Sequence, residues 1–149
     1  MILLDTNVLS ELMRPIPDPT VFAWLDRYDK DDVFVSAITE AESLRGIALL
    51  PNGKRRTNLA EIAKTMFTED FADRRLSFDS AAARRYAELT AHCHRTGRPI
   101  SVEDAQIAAI ALCHGLALAT RNTRDFTAIT GLTLFNPWLI DPAVQSSLE

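Results

Sequence analysis

Short apolar runs alternate along this chain with longer segments in which apolar residues recur at helical spacing. Each apolar run is only a few residues long and stops at a polar or charged residue, as buried strands do. The first run stands directly before the polar cluster Asp5-Thr6-Asn7, and the second ends at Ser36. The pattern predicts strands at residues 2–4, 33–35, 76–78, 116–119 and 132–135.

The segments between these runs carry the start and stop signals of helices. Pro15 ends the first helix, and Asp18 followed by Pro19 is typical of a helix N-cap with proline at the first helical position. The predicted helices span residues 7–13, 19–26, 37–50, 58–67 and 80–94, a further helix is opened by residues 101–104 and ends at Gly115, and residues 125–129 form a short turn or helix. The strongly apolar stretch at residues 107–112 indicates that the helix before Gly115 is central and largely buried. Strands that alternate with helices predict an α/β fold with a mostly parallel sheet covered on both faces.

Composition restricts the class of protein. With 149 residues, 47% hydrophobic and 24% charged, the chain fits a single globular domain rather than a disordered, collagen-like or coiled-coil chain. No apolar run approaches the roughly 20 residues of a membrane helix, and residues 1–5 lack the features of a signal peptide. Cys93 and Cys113 show neither disulfide-scaffold nor zinc-ligand spacing. We therefore expect a soluble, cytoplasmic protein with no membrane association.

The net charge of −4 does not indicate a nucleic-acid binder of the basic type. However, only three of the 16 cationic residues are lysines, and the other 13 are arginines. The planar guanidinium group of arginine suits phosphate and carboxylate partners better than the ammonium group of lysine does. The large share of arginine is therefore compatible with a phosphate-containing ligand, despite the negative net charge.

Acidic residues recur where the predicted strands end. In an open parallel sheet, ligands bind beyond the carboxyl ends of the strands. Asp5 follows the first strand, Glu42 lies about two turns into the next predicted helix, Asp104 lies in the first turn of the buried helix, and Asp125 follows the fourth strand together with Asn122. Carboxylates gathered in one pocket repel one another unless a cation neutralises them. Mg²⁺ or Mn²⁺ is the natural cation, because no His or Cys stands beside these acids.

Each acid also has a purely structural interpretation. Asp5 could cap the helix that follows it, and Asp104 could pair with Ser101 in a capping box or favour the helix dipole. Glu42 could be a solvated helix residue and Asp125 a loop acid. Their joint placement at one edge of one predicted sheet favours the functional interpretation.

Four ordered segments of the chain resemble a PIN domain, and more closely the VapC toxins of bacterial toxin–antitoxin pairs, including the FitB-like branch. These segments are residues 2–11 (ILLDTNVLSE), 36–42 (SAITEAE), 104–108 (DAQIA) and 119–126 (ATRNTRDF). The resemblance extends over almost the whole chain. It implies a PIN-like three-layer α/β/α sandwich with a mostly parallel five-stranded sheet, formed as one domain over residues 1–149 with a tail from about residue 141.

The resemblance also implies a Mg²⁺-dependent endoribonuclease that hydrolyses RNA phosphodiester bonds. On the matching positions, Asp5 and Asp104 would be direct metal ligands, and Glu42 and Asp125 would complete the acidic site directly or through water. The polar positions that support metal and substrate would be Thr6, Thr120 and Asn122. Many relatives carry an aspartate where this chain has Asn122, so we assign the fourth acid to Asp125.

The expected chemistry is metal-assisted hydrolysis, in which bound metal orients and activates a water molecule and stabilises charge on the phosphate. Glu42 or Asp125 would position that water or accept its proton, and the sequence leaves both open. Arginines near the acids could hold the RNA backbone. The candidates are Arg121, Arg124, Arg45, Arg95 and Arg98.

The resemblance further implies a cognate VapB-like antitoxin, with a segment that lies in a groove of the toxin, where an arginine could displace metal or substrate. The toxin is expected to be a homodimer within a toxin–antitoxin hetero-oligomer that binds operator DNA only through the antitoxin. The alternative is a catalytically weak PIN domain that acts mainly as the partner of a DNA-binding antitoxin in a regulatory complex.

Other assignments fit less well. A phosphatase of the haloacid dehalogenase type needs a second aspartate where this chain has Asn7, and a receiver domain needs paired acids that are not present. Residues 92–94 (His-Cys-His) occupy successive helix positions and cannot all face one metal ion. Trp24 and Trp138 are expected to be packing or interface residues rather than base-stacking platforms.

Overall fold

The structure is a computed structural model and describes residues 1–139. Its five strands form one sheet in the order β3-β2-β1-β4-β5, and every neighbouring pair is parallel. The strands are β1 (Ile2–Leu4), β2 (Val33–Ser36), β3 (Arg75–Leu76), β4 (Ala117–Ala119) and β5 (Leu134–Phe135). This confirms the predicted five-stranded parallel sheet. The predicted tail from residue 141 lies outside the described residues.

Six α-helices connect the strands. They are α1 (Thr6–Leu12), α2 (Pro19–Leu25), α3 (Ala37–Ala48), α4 (Lys54–Thr65), α5 (Ser80–Arg95) and α6 (Val102–Cys113). Short 3-10 turns occupy Lys30–Asp32 and Thr123–Phe126. No helix within residues 1–139 is long and apolar enough to cross a membrane.

Some boundaries differ from the sequence-based prediction. Helix α4 begins at Lys54 rather than near residue 58, since the cationic residues after Gly53 are good helix formers. Its end continues into a π-helical turn, Met66–Asp70, in which the Phe71 N–H bonds to the Met66 carbonyl five residues back. Strand β3 ends at Leu76 rather than residue 78, because Asp79 already caps α5.

The core has two parts, one on each face of the sheet. On β1 the side chains alternate, so Leu3 packs with α5 and α6 on one face while Ile2 and Leu4 pack with α1, α2 and α4 on the other. Helix α6 has an almost fully buried run from residue 105 to residue 111, as predicted for the central helix. The molecule is therefore a three-layer α/β/α sandwich.

The strand order reverses between β1 and β4, which is where ligands bind in sheets of this kind. Leu4 of β1 stands opposite Ala119 of β4. The next residues, Asp5 and Thr120, therefore leave the sheet side by side at its carboxyl edge.

Candidate active site

Asp5 is held in place by two hydrogen bonds to its carboxylate. The Thr6 backbone N–H donates to Oδ1 at 2.8 Å, and the Thr120 hydroxyl donates to Oδ2 at 2.7 Å. Asp5 is also the N-cap of α1, so its structural interpretation as a helix cap is correct. Each carboxylate oxygen retains an accepting position beyond the bond it already makes. Capping therefore leaves the buried Asp5 carboxylate able to bind a second partner.

Glu42 reaches the same edge from the second turn of α3. The Thr6 hydroxyl lies 2.9 Å from Glu42 Oε1 and 3.1 Å from the Thr39 hydroxyl, so Thr6 ties the start of α1 to α3. Ser36 fixes the start of α3 by accepting a hydrogen bond of 3.0 Å from the Thr39 N–H. The Glu42 carboxylate is therefore oriented by contacts that a freely solvated helix residue does not make.

Asp104 lies in the first turn of α6, which Ser101 caps by accepting a 3.1 Å hydrogen bond from the Asp104 N–H. The backbone half of the proposed capping box is therefore present. The carboxylate of Asp104 is half-buried, and a hydrogen bond with the Ser101 side chain opposes the rise in its pKa.

The segment after β4 contributes the remaining predicted positions. Asn122 donates its backbone N–H to the Thr120 hydroxyl at 3.1 Å, which supports the residue that holds Asp5. Asp125 follows in a 3-10 turn, is exposed, and bonds through its N–H to the Asn122 carbonyl at 3.0 Å. Asp125 raises the pKa of both Asp5 and Asp104 by charge repulsion. Its electrostatic coupling to the site favours Asp125 as the fourth acid.

The three inner carboxyl groups all have raised pKa values. Burial is the largest cause of the rise in each pKa, and the pKa of Asp104 reaches about 6 when all contributions act together. Repulsion adds to burial, from Asp5, Asp125 and Glu42 on Asp104 and from Asp5 and Glu103 on Glu42. Hydrogen bonds from Thr120 and Thr6 act in the opposite direction on Asp5. These acids therefore form one electrostatically coupled cluster.

The donor set suits a hard divalent cation, because it consists of carboxylate and hydroxyl oxygens without His or Cys. Within residues 1–139, no three His, Cys, Asp or Glu side chains lie close enough together to form a metal-binding group. The chemistry of the donors and their mutual repulsion fit a divalent ion.

A groove of about 790 Å³ opens beside the acids, between α1, α3 and α4. Thr6 and Glu42 line one end of it, Arg14 and Arg55 are further lining residues, and the buried Ser43 hydroxyl has no hydrogen-bond partner among the described residues. Apolar side chains form much of the wall, from Met13, Ile47, Leu50, Leu59 and Ile62.

Sequence reasoning missed this groove and the effect of Glu103 on Glu42. The adjacent pair Glu103-Asp104 in the first turn of α6 was the available signal for Glu103. Of the predicted arginines, Arg121 lies beside Thr120, Arg124 lies in the 3-10 turn, and Arg45 lies one turn beyond Glu42 on α3. No described contact brings Arg95 or Arg98 to the carboxylates.

Comparison with known proteins matches this arrangement to one family. The PIN domain profile matches residues 2–132. The chain is 46% identical over 138 residues to the toxin FitB of Neisseria gonorrhoeae, which covers 93% of this chain and 99% of that protein. It is 44% identical over 138 residues to the VapC ribonuclease Y4jK of Sinorhizobium fredii, which covers 93% and 98% of the two chains.

The fold agrees with a solved complex as well. The structure of FitAB bound to IR36 DNA fragment matches with a TM-score of 0.87 at 44% identity, covering 95% of this chain and 98% of that chain. Sequence and fold therefore agree over nearly the full length of the described residues. This chain belongs to the PIN domain family, among the toxins of the FitB and VapC type.

Proposed function

We propose that this protein is the toxin of a type II toxin–antitoxin pair, a Mg²⁺-dependent endoribonuclease that hydrolyses RNA phosphodiester bonds and is inhibited by a cognate antitoxin. The observation that carries the proposal is the cluster of Asp5, Glu42, Asp104 and Asp125, which come from four separate parts of the chain. Burial and repulsion from neighbouring acids raise the pKa of Asp5, Glu42 and Asp104, and that of Asp104 reaches about 6. A protein holds such a cluster at a cost in stability, which a bound cation offsets.

In this proposal Asp5 and Asp104 hold the metal directly, and Glu42 and Asp125 complete the site directly or through water. Bound Mg²⁺, or Mn²⁺ in its place, would lower the pKa of a water molecule and stabilise negative charge on the phosphate. Thr120 and Thr6 fix the direction in which the Asp5 carboxylate points. Asn122 supports Thr120 through its backbone N–H.

Glu42 is the better placed of the two candidate proton acceptors. The Glu42 residue lies at the surface although its carboxylate is partly desolvated. The Thr6 hydroxyl donates to Oε1, so Oε2 can accept a hydrogen bond from a water molecule. Its raised pKa makes it a stronger base than an ordinary surface glutamate. Asp125 remains in the outer part of the site.

The groove beside Glu42 is the proposed docking place of the antitoxin segment. Its apolar wall suits a partner that buries hydrophobic side chains, and a basic residue reaching Glu42 and Thr6 would occupy the position of metal or substrate. The resulting complex is a hetero-oligomer built on a toxin homodimer. Operator DNA is contacted through the antitoxin, because the toxin itself carries a net charge of −4. The relative FitB is known in a FitAB complex on DNA, which supports this arrangement. The proposed location is the cytoplasm.

The direct test is incubation of the purified protein with total cellular RNA in Mg²⁺ and in EDTA, beside the Asp5→Asn variant. The surface variant Asp73→Asn is the matched control for loss of one carboxylate. Discrete fragments that require both Mg²⁺ and Asp5, and that disappear when antitoxin is added, support the proposal. Intact RNA in the presence of folded protein and Mg²⁺ contradicts it.

The second candidate is a catalytically weak PIN domain that serves mainly as the partner of a DNA-binding antitoxin. The neutral Asn122 and the absence of a three-carboxylate metal group within residues 1–139 favour it. In the same experiment it predicts tight antitoxin binding with intact RNA.

A further inference from the structure

Arg121 is fixed in place by both its backbone and its side chain. It directly follows Thr120, whose hydroxyl holds Asp5. Its N–H donates to Asn7 Oδ1 at 3.2 Å, and its carbonyl accepts from Asn136 Nδ2 at 3.3 Å. Its guanidinium carbon lies 4.8 Å from the ring centroid of Trp138. An exposed arginine without these backbone hydrogen bonds and without the contact with the ring would sample many rotamers.

The Asn136 side chain links the backbone of Arg121 to the backbone of Trp138. Its Oδ1 accepts a 3.0 Å hydrogen bond from the Trp138 N–H, while its Nδ2 donates to the Arg121 carbonyl. The Thr120 N–H bonds to the Phe135 carbonyl at 2.9 Å, so the segment after β5 runs alongside the segment after β4. The indole ring is therefore placed against Arg121 by the backbone that leaves β5.

The Arg121 cation is left without a carboxylate partner among the described residues. Arg121 takes no part in the described ion pairs that join Arg14 to Glu11 and Arg75 to Glu40. The charge interactions that shift the pKa values of Asp5, Glu42 and Asp104 come from other acids. Trp138 thus holds the Arg121 side chain in the loop that directly follows Thr120, and Arg121 is not among the groups that shift the pKa of these acids.

Stacking engages the face of a guanidinium group and leaves the N–H donors at its edge free. Those donors match the oxygens of a phosphate group, to which arginine can bind through two parallel hydrogen bonds. A cation fixed near, but outside, a phosphodiester-cleaving centre is suited to a phosphate next to the one that is cut.

We propose that Arg121, stacked on Trp138, forms a phosphate subsite for RNA on the β5 side of the acidic cluster. Arg121 is the residue that binds, and Trp138 and Asn136 are positioning residues that act through it. This inference rests on the proposed ribonuclease function. Trp138 packs against the core, as the sequence analysis expects, and the proposal adds the support of a substrate contact to that role.

The test measures RNA binding and RNA cleavage separately. Binding of a fluorescein-labelled single-stranded RNA of mixed sequence, about 20 nucleotides long, is followed by anisotropy at several salt concentrations in the Asp104→Asn background. The added substitutions are Arg121→Ala, Trp138→Leu and Trp138→Phe. Arg84→Ala is the matched control, because Arg84 is an exposed arginine on α5 and stacks on no described ring.

Arg121→Ala is expected to weaken RNA binding about tenfold and to reduce the salt dependence by about one ion. Trp138→Leu should reproduce most of this loss, and Trp138→Phe should restore binding because a ring remains. Arg84→Ala should change binding less than about twofold. With Asp104 intact, Arg121→Ala should raise KM and leave kcat within about twofold. Melting temperatures of the variants verify that the fold is kept.

Equal effects of Arg121→Ala and Arg84→Ala overturn the subsite, as does a Trp138→Phe variant that binds RNA no better than Trp138→Leu. Unchanged RNA binding with weakened antitoxin binding would assign Arg121 to the protein partner and also overturn the proposal. Absence of cleavage by the wild-type protein contradicts the proposed function instead, so the two failures are distinguishable.

Discussion

The Thr120 hydroxyl donates a 2.7 Å hydrogen bond to Asp5 Oδ2, joining residues 115 positions apart in the chain. The bond exists because β1 and β4 are neighbours in register, so that the residues following them meet at the carboxyl edge of the sheet. Thr120 is fully buried and Asp5 nearly so. The central strands thus fix the orientation of the most buried carboxylate of the proposed metal site.

Replacing Thr120 with valine keeps the shape of the side chain and removes its hydroxyl. Asp5 Oδ2 and the Asn122 N–H would both lose a partner, which is expected to lower the free energy of unfolding by about 1–3 kcal/mol. Metal affinity should fall about 10- to 100-fold, since the orienting bond is lost. Thermal denaturation and a Mg²⁺ titration of RNA cleavage measure the two effects. The exposed Thr130→Val is the control, and equal behaviour of the two variants would show that the hydroxyl does not orient Asp5.

Replacing Asp104 with asparagine is expected to raise the stability of the metal-free protein and to lower its activity. The carboxylate is desolvated and repelled by Asp5, Asp125 and Glu42, so its removal should stabilise the metal-free protein by about 1 kcal/mol at neutral pH. Cleavage of RNA should fall about 100-fold or more, because a proposed ligand is lost. Chemical denaturation in EDTA and a cleavage assay test the pair of effects. A variant that loses both stability and activity would indicate that Asp104 serves the fold rather than the site.

The metal-free protein should lose stability as the pH rises from about 4 to about 6. The folded-state pKa of Asp104 is about 6 against an ordinary value of 3.8, so in this range the native state binds more protons than the unfolded state. The raised pKa values of Asp5 and Glu42 act in the same direction.

The difference in melting temperature between wild type and Asp104→Asn, measured in EDTA between about pH 4.5 and pH 7.5, isolates this contribution from other titrations. The melting temperature of the wild type should fall relative to that of the variant as the pH rises. Mg²⁺ should reverse this trend at neutral pH, because metal binds the ionised carboxylates. A pH-independent difference would contradict the raised pKa of Asp104.

The proposed antitoxin groove can be blocked without touching the acids. Ile62 lines the groove and is 48% exposed, so Ile62→Glu places a charge where an apolar side chain of the partner would pack. Antitoxin affinity should fall at least about tenfold while RNA cleavage stays unchanged. Leu49→Glu is the matched control, since Leu49 is exposed at the end of α3 and does not line the groove. Titration calorimetry with the antitoxin reads the result, and equal affinity of both variants would move the docking site elsewhere.

The sheet and the acids were accessible from the sequence because their signals are local. Strands β1, β2, β4 and β5 are short apolar runs followed by or ending at a polar residue, and the segments around Asp5, Glu42, Asp104 and Asp125 carry the resemblance to PIN domains. The strand order is a finding of the structure, because right-handed crossovers alone allow more than one order. The sequence-based expectation of a five-stranded parallel sheet is confirmed.

Features that depend on distant residues were not accessible in this way. The groove is formed by α1, α3 and α4 together, and no single helix reveals it. Asn136 holds Arg121 across 15 residues, and Arg74 donates to the carbonyl of Val33 across 41 residues at 2.6 Å. Neither link leaves a periodic pattern in the sequence, because each consists of one polar side chain and one backbone group.

The most direct test of the central claim is the binding of Mn²⁺, which substitutes for Mg²⁺ and is detected by electron paramagnetic resonance. The wild-type protein is predicted to bind Mn²⁺ in competition with Mg²⁺, and both Asp5→Asn and Asp104→Asn are predicted to weaken binding at least about tenfold, with Asp73→Asn unchanged. Binding that is equal in all four proteins, or absent in the folded wild type at millimolar Mn²⁺, would contradict a divalent metal site at the acidic cluster.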